Sequence, residues 1–204
     1  MRAMKNSLRA GAALIGLSMV LASCGSSVAP DGSGSVRVYD LKTEYKDIQT
    51  GAYVACDNAA FPNGSVTQTT NVAVSFALAG TLTSVDVGLR GATITDYDGN
   101  YNTNVPANQL ADLGGNNFKT VFAADAKQGF LPQNLKTLSI VVNPAVVTIK
   151  NVNASNRVSG NGAFFATVSA HTSTGAVATG DTRYSATIPV YSQCNITSDT
   201  GATL

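Results

Sequence analysis

Oxygen-bearing side chains alternate along one short segment, residues 96–104. They stand at every second position: Asp96, Asp98, Asn100 and Asn102. Hard oxygen ligands at this spacing suit Ca²⁺. The segment departs from an EF-hand loop, however, because its glycine stands at the fourth position and its twelfth residue is an alanine. The pattern therefore favours a hairpin turn at Asp98-Gly99, with a Ca²⁺ site on the four oxygen ligands as the alternative.

A single imidazole, His171, is available for acid–base or metal chemistry. Catalysis by His171 would need a nucleophile and an orienting acid, and the nearest acid in sequence is Asp181. The chain contains neither a Gly-x-Ser-x-Gly elbow nor a Ser-x-x-Lys motif. Copper and zinc sites need several imidazoles or thiolates. We therefore expect His171 to be a surface or turn residue, with a ligand role shared with a partner chain as the alternative.

Residues 1–24 are typical of a targeting segment. Three cations precede an uncharged, mostly apolar stretch that is too short to span the hydrocarbon core of a bilayer. The segment ends in Leu21-Ala22-Ser23-Cys24, a lipobox, and so it resembles the start of a bacterial lipoprotein precursor. The resemblance implies that residues 1–23 are cleaved and that Cys24 carries the acyl chains of a stable membrane anchor.

The residues after Cys24 bear on where the mature protein lies. In lipoproteins an Asp directly after the lipidated Cys marks inner-membrane retention, whereas this chain has Gly25, so the resemblance implies an outer-membrane position, periplasmic or surface-exposed. The composition of residues 24–35 predicts a flexible tether that leads from the anchor to a folded domain of residues 36–204.

The cysteine count agrees with export. Once Cys24 is assigned to lipid, Cys56 and Cys194 remain. An even remainder in an exported chain predicts one disulfide. The alternative, a redox or metal-binding thiol pair, lacks a Cys-x-x-Cys spacing.

Alternating apolar residues predict that strands dominate the mature chain. The clearest run, residues 71–78, places four apolar side chains on one face: Val72, Val74, Phe76 and Leu78. Eight to ten such short strands, separated by Gly, Asn and Pro turn signals, indicate an all-β, antiparallel β-sandwich of decorated Ig-like type. One or two short helical turns are expected, at 106–113 and at 123–128, within a crossover at 104–134.

Composition narrows the classes of function. The 204 residues include 13 Lys and Arg against 12 Asp and Glu, and only 12% are charged, about half the ~25% usual for soluble domains. A net charge of +1 excludes a basic nucleic-acid binder. The single Glu, Glu44, and the single His remove most two-carboxylate and metallohydrolase chemistry. We therefore expect a protein that is not an enzyme.

The anchor and the low charge together predict a structural or interaction subunit of the cell envelope. In this the chain is similar to the small accessory lipoproteins of S-layer or outer-membrane assemblies. The expected partners are the membrane, through the lipid, and other envelope proteins, with no nucleic acid. One alternative is a surface module that binds a glycan or takes Ca²⁺ as its cofactor. Another is a copper-dependent envelope enzyme resembling superoxide dismutase, which a single His disfavours.

Overall fold

The computed structural model describes residues 25–92, 102–126, 132–137, 146–157 and 162–204. Sixteen strands lie in these ranges: β1 Ser26–Val28, β2 Gly34–Thr43, β3 Tyr45–Asp47, β4 Tyr53–Cys56, β5 Ala59–Ala60, β6 Val66–Thr67, β7 Thr69–Gly80, β8 Leu82–Gly91, β9 Asn102–Pro106, β10 Ala111–Gly114, β11 Asn117–Ala126, β12 Pro132–Thr137, β13 Thr148–Arg157, β14 Ala163–Thr172, β15 Val177–Asp181 and β16 Ile188–Thr203. The described residues include no helix long and apolar enough to cross a membrane.

The strands form two sheets. The six-stranded sheet, here sheet A, has the order β1-β2-β7-β11, and β10 and β12 pair with different parts of β11. The ten-stranded sheet, sheet B, has the order β13-β3-β4-β16-β14-β8-β9, with β15 paired to β14, β5 paired to β16 and β6 paired to β5. The two sheets pack together around a shared core, so the predicted all-β sandwich is confirmed.

The central strand β7 shows why the sandwich forms. The alternating apolar residues of this strand are buried against the inward side chains of β2, β8 and β14, as predicted: Val72, Val74, Phe76 and Leu78. Ala73, on the other face of β7, is also buried, because Ile149 and Leu204 cover it. The outer face of sheet A is therefore covered at one end and open at the other.

The sheets are mixed rather than wholly antiparallel. Strand β3 runs parallel to β13, and β16 runs parallel to both β4 and β5. The 16-residue strand β16 pairs with four other strands and holds sheet B together. Alternation in a sequence reports which face of a strand is buried, but it does not report the direction of the neighbouring strand.

The predicted helical turns are correct only in part. Within 106–113 there is one 3₁₀ turn, Ala107–Gln109, and strand β10 follows it. The second prediction, at 123–128, is wrong for its described part, because Ala123–Ala126 belong to β11. Phe122 and Ala124 are fully buried, and packing in the core overrides their local helical propensity. The described part of the predicted crossover is thus largely made of strands.

The prediction of a flexible tether over residues 24–35 is wrong for the described part. Strand β1 pairs with β2, and β2 already begins at Gly34. Between the strands, the Ala29 amide donates to the Gly34 carbonyl oxygen at 2.8 Å, and the Gly32 amide donates to the Ala29 carbonyl oxygen at 2.9 Å. A Gly/Ser-rich composition resembles that of a linker, but Asp31-Gly32 also supplies the chemistry of a tight turn.

Candidate functional site

The first described residue, Gly25, is already fixed in the fold. The Val38 amide donates to the Gly25 carbonyl oxygen at 2.8 Å. Gly25 has a φ of +90°, and a Cβ atom there would lie 2.5 Å from the Val38 carbonyl oxygen and 2.9 Å from that of Asp181. Gly180 approaches just as closely, since a Cβ atom on it would lie 2.5 Å from the Gly25 carbonyl oxygen. Glycine is therefore required where the chain passes between β2 and β15.

Strand β1 joins the two sheets along one side of the sandwich. We call β1 and β15, with the turns at their ends, the N-terminal edge. The Thr179 amide donates to Ser27 Oγ at 2.8 Å. At the β1–β2 turn, Ser33 Oγ donates to Asp31 Oδ1 and Thr174 Oγ1 donates to Asp31 Oδ2, both at 2.6 Å. These hydrogen bonds, from Ser33 first and then Thr174, lower the pKa of Asp31 from 3.8 to about 2.

Exposed aromatic and basic side chains flank the N-terminal edge. Tyr184, in the turn after β15, is 80% exposed, and Tyr39, the residue after Val38, is 41% exposed. Arg183 is also exposed, and its guanidinium carbon lies 4.6 Å from the centre of the Phe165 ring. This cation–π contact gives the Arg183 side chain a partner on β14.

A groove of about 450 Å³ lies on the open part of the outer face of sheet A. We call it the sheet A groove, and five residues line it: Arg37, Tyr39, Ala77, Leu113 and Asn117. Arg37, Ala77 and Asn117 are directly paired across β2, β7 and β11. The small side chain of Ala77 leaves a depression between its two longer neighbours, and Leu113 remains 53% exposed beside it.

His171 lies within β14 rather than in a turn, on the outer face of sheet B. Its Nε2 atom is 2.6 Å from Asp86 Oδ2, and Asn104 Nδ2 donates to Asp86 Oδ1 at 2.6 Å. The acid beside His171 is therefore Asp86 and not Asp181, whose Oδ1 accepts a bond from the Arg183 amide. Burial acts most strongly on the pKa of Asp86 and would raise it, but hydrogen bonds from Asn104 and His171 outweigh burial and lower it.

The His171–Asp86 pair has the geometry of an oriented imidazole, and among the described residues the hydroxyls of its two neighbouring serines are engaged in other hydrogen bonds. Ser84 Oγ accepts a bond from Asn104, and Ser169 Oγ is paired with Thr179 Oγ1 at 2.9 Å. Within the described ranges, no group of three His, Cys, Asp or Glu side chains could hold a metal ion. A shared metal ligand at His171 stays a prediction.

The predicted Ca²⁺ segment is described only at its end. Asp96, Asp98 and Asn100 lie outside the described residues, as does Cys24. Asn102 begins β9, where it pairs with Gly88 of β8. The Ca²⁺ site therefore stays a prediction. What the structure adds is that β8 and β9, which flank the segment, pair with each other in antiparallel fashion.

The predicted disulfide between Cys56 and Cys194 is confirmed. The sulfur atoms are 2.03 Å apart and the Cα atoms 5.9 Å apart. The bond joins β4 to β16 across 138 residues of sequence, inside a second hydrophobic cluster that includes Tyr45 and Val152.

The single Glu of the chain has a structural role. Glu44 is buried, and its Oε2 atom lies 2.5 Å from Lys150 Nζ. Its Oε1 atom accepts bonds from both the backbone and the side-chain nitrogen of Asn71, each at 2.8 Å. Sequence reasoning missed Lys150 and Asn71, because Lys150 is 106 residues away and no motif marks either residue.

Comparisons with protein families, with curated proteins and with solved structures find no match to this chain. The features of the molecule that bear on its function are the N-terminal edge, the sheet A groove and the His171–Asp86 pair.

Proposed function

We propose that the protein is a lipid-anchored subunit of the bacterial cell envelope that binds other proteins of an outer-membrane or S-layer assembly. The observation that carries the proposal is the sheet A groove, an open surface with apolar and aromatic walls in a chain of only 12% charged residues. Most of this groove can be dehydrated without removing a charge from water.

The chemistry of the groove is that of a protein interface. Tyr and Arg are the residue types enriched at binding hot spots, and Tyr39 and Arg37 supply both. Leu113 adds exposed apolar surface on the opposite wall, and Asn117 offers hydrogen bonds. Arg37 is the only charged residue of the lining, in keeping with the depletion of charge in interface cores.

The proposed anchor would hold the groove where envelope assemblies form. Cys24 is bonded to Gly25, and Gly25 is fixed beside β2, the strand that supplies Arg37 and Tyr39. Acyl chains on Cys24 would thus place sheet A at the membrane surface. A partner in the same membrane would then meet the groove at a raised effective concentration.

The test is mild-detergent extraction from native membranes followed by size analysis of the extracted protein. Leu113→Asp places a charge in the groove, and Ala77→Arg fills its depression. The matched control is Val66→Asp, because Val66 is 57% exposed on β6, outside the groove. We expect the unchanged chain and the control to run in a large complex, and the two groove variants to run as monomers.

Two outcomes contradict the proposal. In one, the unchanged chain is a lone monomer at every concentration. In the other, Val66→Asp releases the protein as fully as Leu113→Asp does, so that the groove has no special role. Circular dichroism of the purified variants verifies that each one keeps its strands.

A further inference from the structure

We infer that the chain forms a covalent amide bond between the side chains of Lys150 and Asn71, with Glu44 as the acid–base catalyst. The observation that carries the inference is a buried cluster in which one carboxylate contacts both the amine and the carboxamide. The inference does not depend on the proposed anchor or on the sheet A groove. It assigns a modification site to three side chains whose role described so far is structural.

The carboxylate of Glu44 contacts both of the groups that react. Its Oε2 atom is 2.5 Å from Lys150 Nζ, and its Oε1 atom accepts a hydrogen bond from Asn71 Nδ2 at 2.8 Å. The attacking nitrogen and the leaving nitrogen of the amide exchange are therefore held by the two oxygens of one group. A carboxylate in hydrogen-bond reach of both nitrogens can take a proton from the first and give one to the second.

Backbone hydrogen bonds hold the three residues next to one another. The Glu44 amide donates to the Asn71 carbonyl oxygen at 3.0 Å, and the Lys150 amide donates to the Glu44 carbonyl oxygen at 2.7 Å. Asn71 belongs to β7 and Lys150 to β13, so the reacting side chains extend from strands of both sheets. Groups fixed in this way react at a high effective concentration, which a slow attack of an amine on an amide requires.

The cluster is largely shielded from water. The side chain of Glu44 is 4% exposed and that of Lys150 is 19% exposed. The centre of the buried Tyr45 ring lies 5.8 Å from Lys150 Nζ. Exclusion of water strengthens the contacts of the carboxylate, and it disfavours the hydrolysis of the Asn71 side chain that would compete with attack by the amine.

The reaction needs no oxidant, metal or cofactor. Glu44 Oε2 takes a proton from the Lys150 ammonium, and the neutral amine attacks Cγ of Asn71. As the new C–N bond forms, Nζ gives up a second proton, and the bond between Cγ and Nδ2 breaks. Nζ loses two protons in all and Nδ2 gains two, so that the side-chain nitrogen of Asn71 leaves as ammonium and Glu44 is again a carboxylate.

The product is a second cross-link with a different reach from the first. The disulfide joins β4 to β16, which both lie in sheet B. The amide joins β7 of sheet A to β13 of sheet B, and reductant cannot open it. The Glu44–Lys150 ion pair is the unreacted state, so the stability that the pair contributes refers to molecules in which both side chains are still intact.

The first measurement is the intact mass of the purified full-length chain, incubated at neutral pH and then reduced. We expect a species lighter by one molecule of ammonia to accumulate in the unchanged chain. Glu44→Gln and Lys150→Met should keep the full mass. The matched control is Lys42→Met, which removes an exposed lysine paired with Asp40 and should react as the unchanged chain does. Reaction of Glu44→Gln at the unchanged rate would overturn the role of Glu44.

The second measurement locates the bond in the unchanged chain, so its outcome does not depend on the folding of any variant. Trypsin cannot cleave after an acylated Lys150, and the digest should therefore contain residues 137–157 joined to residues 47–90. Full recovery of residues 137–150 as a separate peptide overturns the inference. So does a loss of ammonia that is confined to Asn63-Gly64, where an exposed asparagine can cyclise onto the backbone instead.

Discussion

Two regions of the sandwich are held together in contrasting ways. The first is the N-terminal edge, where a three-residue strand depends on backbone hydrogen bonds and on the close approach of Gly25 and Gly180. The second, here the cross-linked end, comprises β3, β4, β13 and β16 with the Cys56–Cys194 disulfide and the Glu44–Lys150 ion pair. We therefore expect the edge to open locally and the cross-linked end to open only with the whole domain.

The contrast means that attachment to the membrane and stability of the fold depend on different regions of the molecule. On the proposed account, the membrane anchor enters through the weaker region, at β1 of sheet A, while the strands of the stronger region all lie in sheet B. A disturbance at the anchor would then loosen β1 before it unfolds the core. The following changes test this difference, in order of decreasing expected effect.

Removing the disulfide should have the largest effect. The double variant Cys56→Ser/Cys194→Ser loses a cross-link over 138 residues and should lower the free energy of unfolding by about 2–5 kcal/mol. Urea denaturation with and without reductant measures the loss. Reductant should destabilise the unchanged chain and leave the variant unaffected; a variant as stable as the unchanged chain would contradict the assignment of a cross-linked end.

Breaking the buried ion pair should have the second-largest effect on stability. In Glu44→Gln the Lys150 ammonium loses its carboxylate partner. Because Lys150 is partly exposed and water can replace part of that interaction, we expect the free energy of unfolding to fall by about 2–4 kcal/mol. Adding Lys150→Met should restore part of the lost free energy of unfolding, because no unpaired charge is then left. The control is Asp40→Asn, which removes an exposed pair with Lys42 and should cost less than about 1 kcal/mol. Equal losses in the two variants would contradict the structural role of Glu44.

Gly25→Ala should affect the N-terminal edge alone. The new Cβ atom would meet two carbonyl oxygens in a left-handed conformation, which costs at least about 1–2 kcal/mol. Hydrogen exchange of the β1 amides should accelerate, while exchange in β16 stays unchanged.

Gly64→Ala is the matched control for this variant. Gly64 also has a positive φ, +83°, but a Cβ atom added there would have no neighbouring atom within 4 Å. It should therefore leave β1 exchange unchanged. If Gly64→Ala loosened β1 as much as Gly25→Ala does, close packing around Gly25 would not be the cause.

The smallest effect should be a pH dependence of the N-terminal edge. Because folding lowers the pKa of Asp31 from 3.8 to about 2, its contribution to stability is complete above pH 3.8 and is lost as the pH falls through 2. A carboxyl NMR titration should locate this pKa. Thr174→Val should raise it by removing one donor; an unchanged titration would contradict the hydrogen bond between the two turns.

Particular residues made the fold predictable from the sequence. Val72, Val74, Phe76 and Leu78 alternate because one face of β7 is buried, and burial leaves a period of two in the sequence. The disulfide followed from the parity of the cysteines. The second helical turn was wrong, because the burial of Phe122 and Ala124 depends on β7 and β12, which no local pattern reports.

The candidate site was less accessible from the sequence. Asp86 stands 85 residues before His171, and they meet only because β8 pairs with β14. The ordered start of the domain was not predicted either. A glycine among serines suggests a flexible segment, and the contacts of Gly25 with Val38 and Asp181 are visible only in the structure. Both features arise from long-range strand pairing, and long-range pairing has no local signature.

The most direct test of the central claim is mass spectrometry of the mature N-terminus of protein isolated from bacterial membranes. The account predicts that residues 1–23 are absent and that the first residue is Cys24, with its sulfur carrying a diacylglycerol group, followed directly by the Gly25 that is fixed between β2 and β15. A protein that retains residues 1–23, or one whose Cys24 is an unmodified thiol, would contradict it.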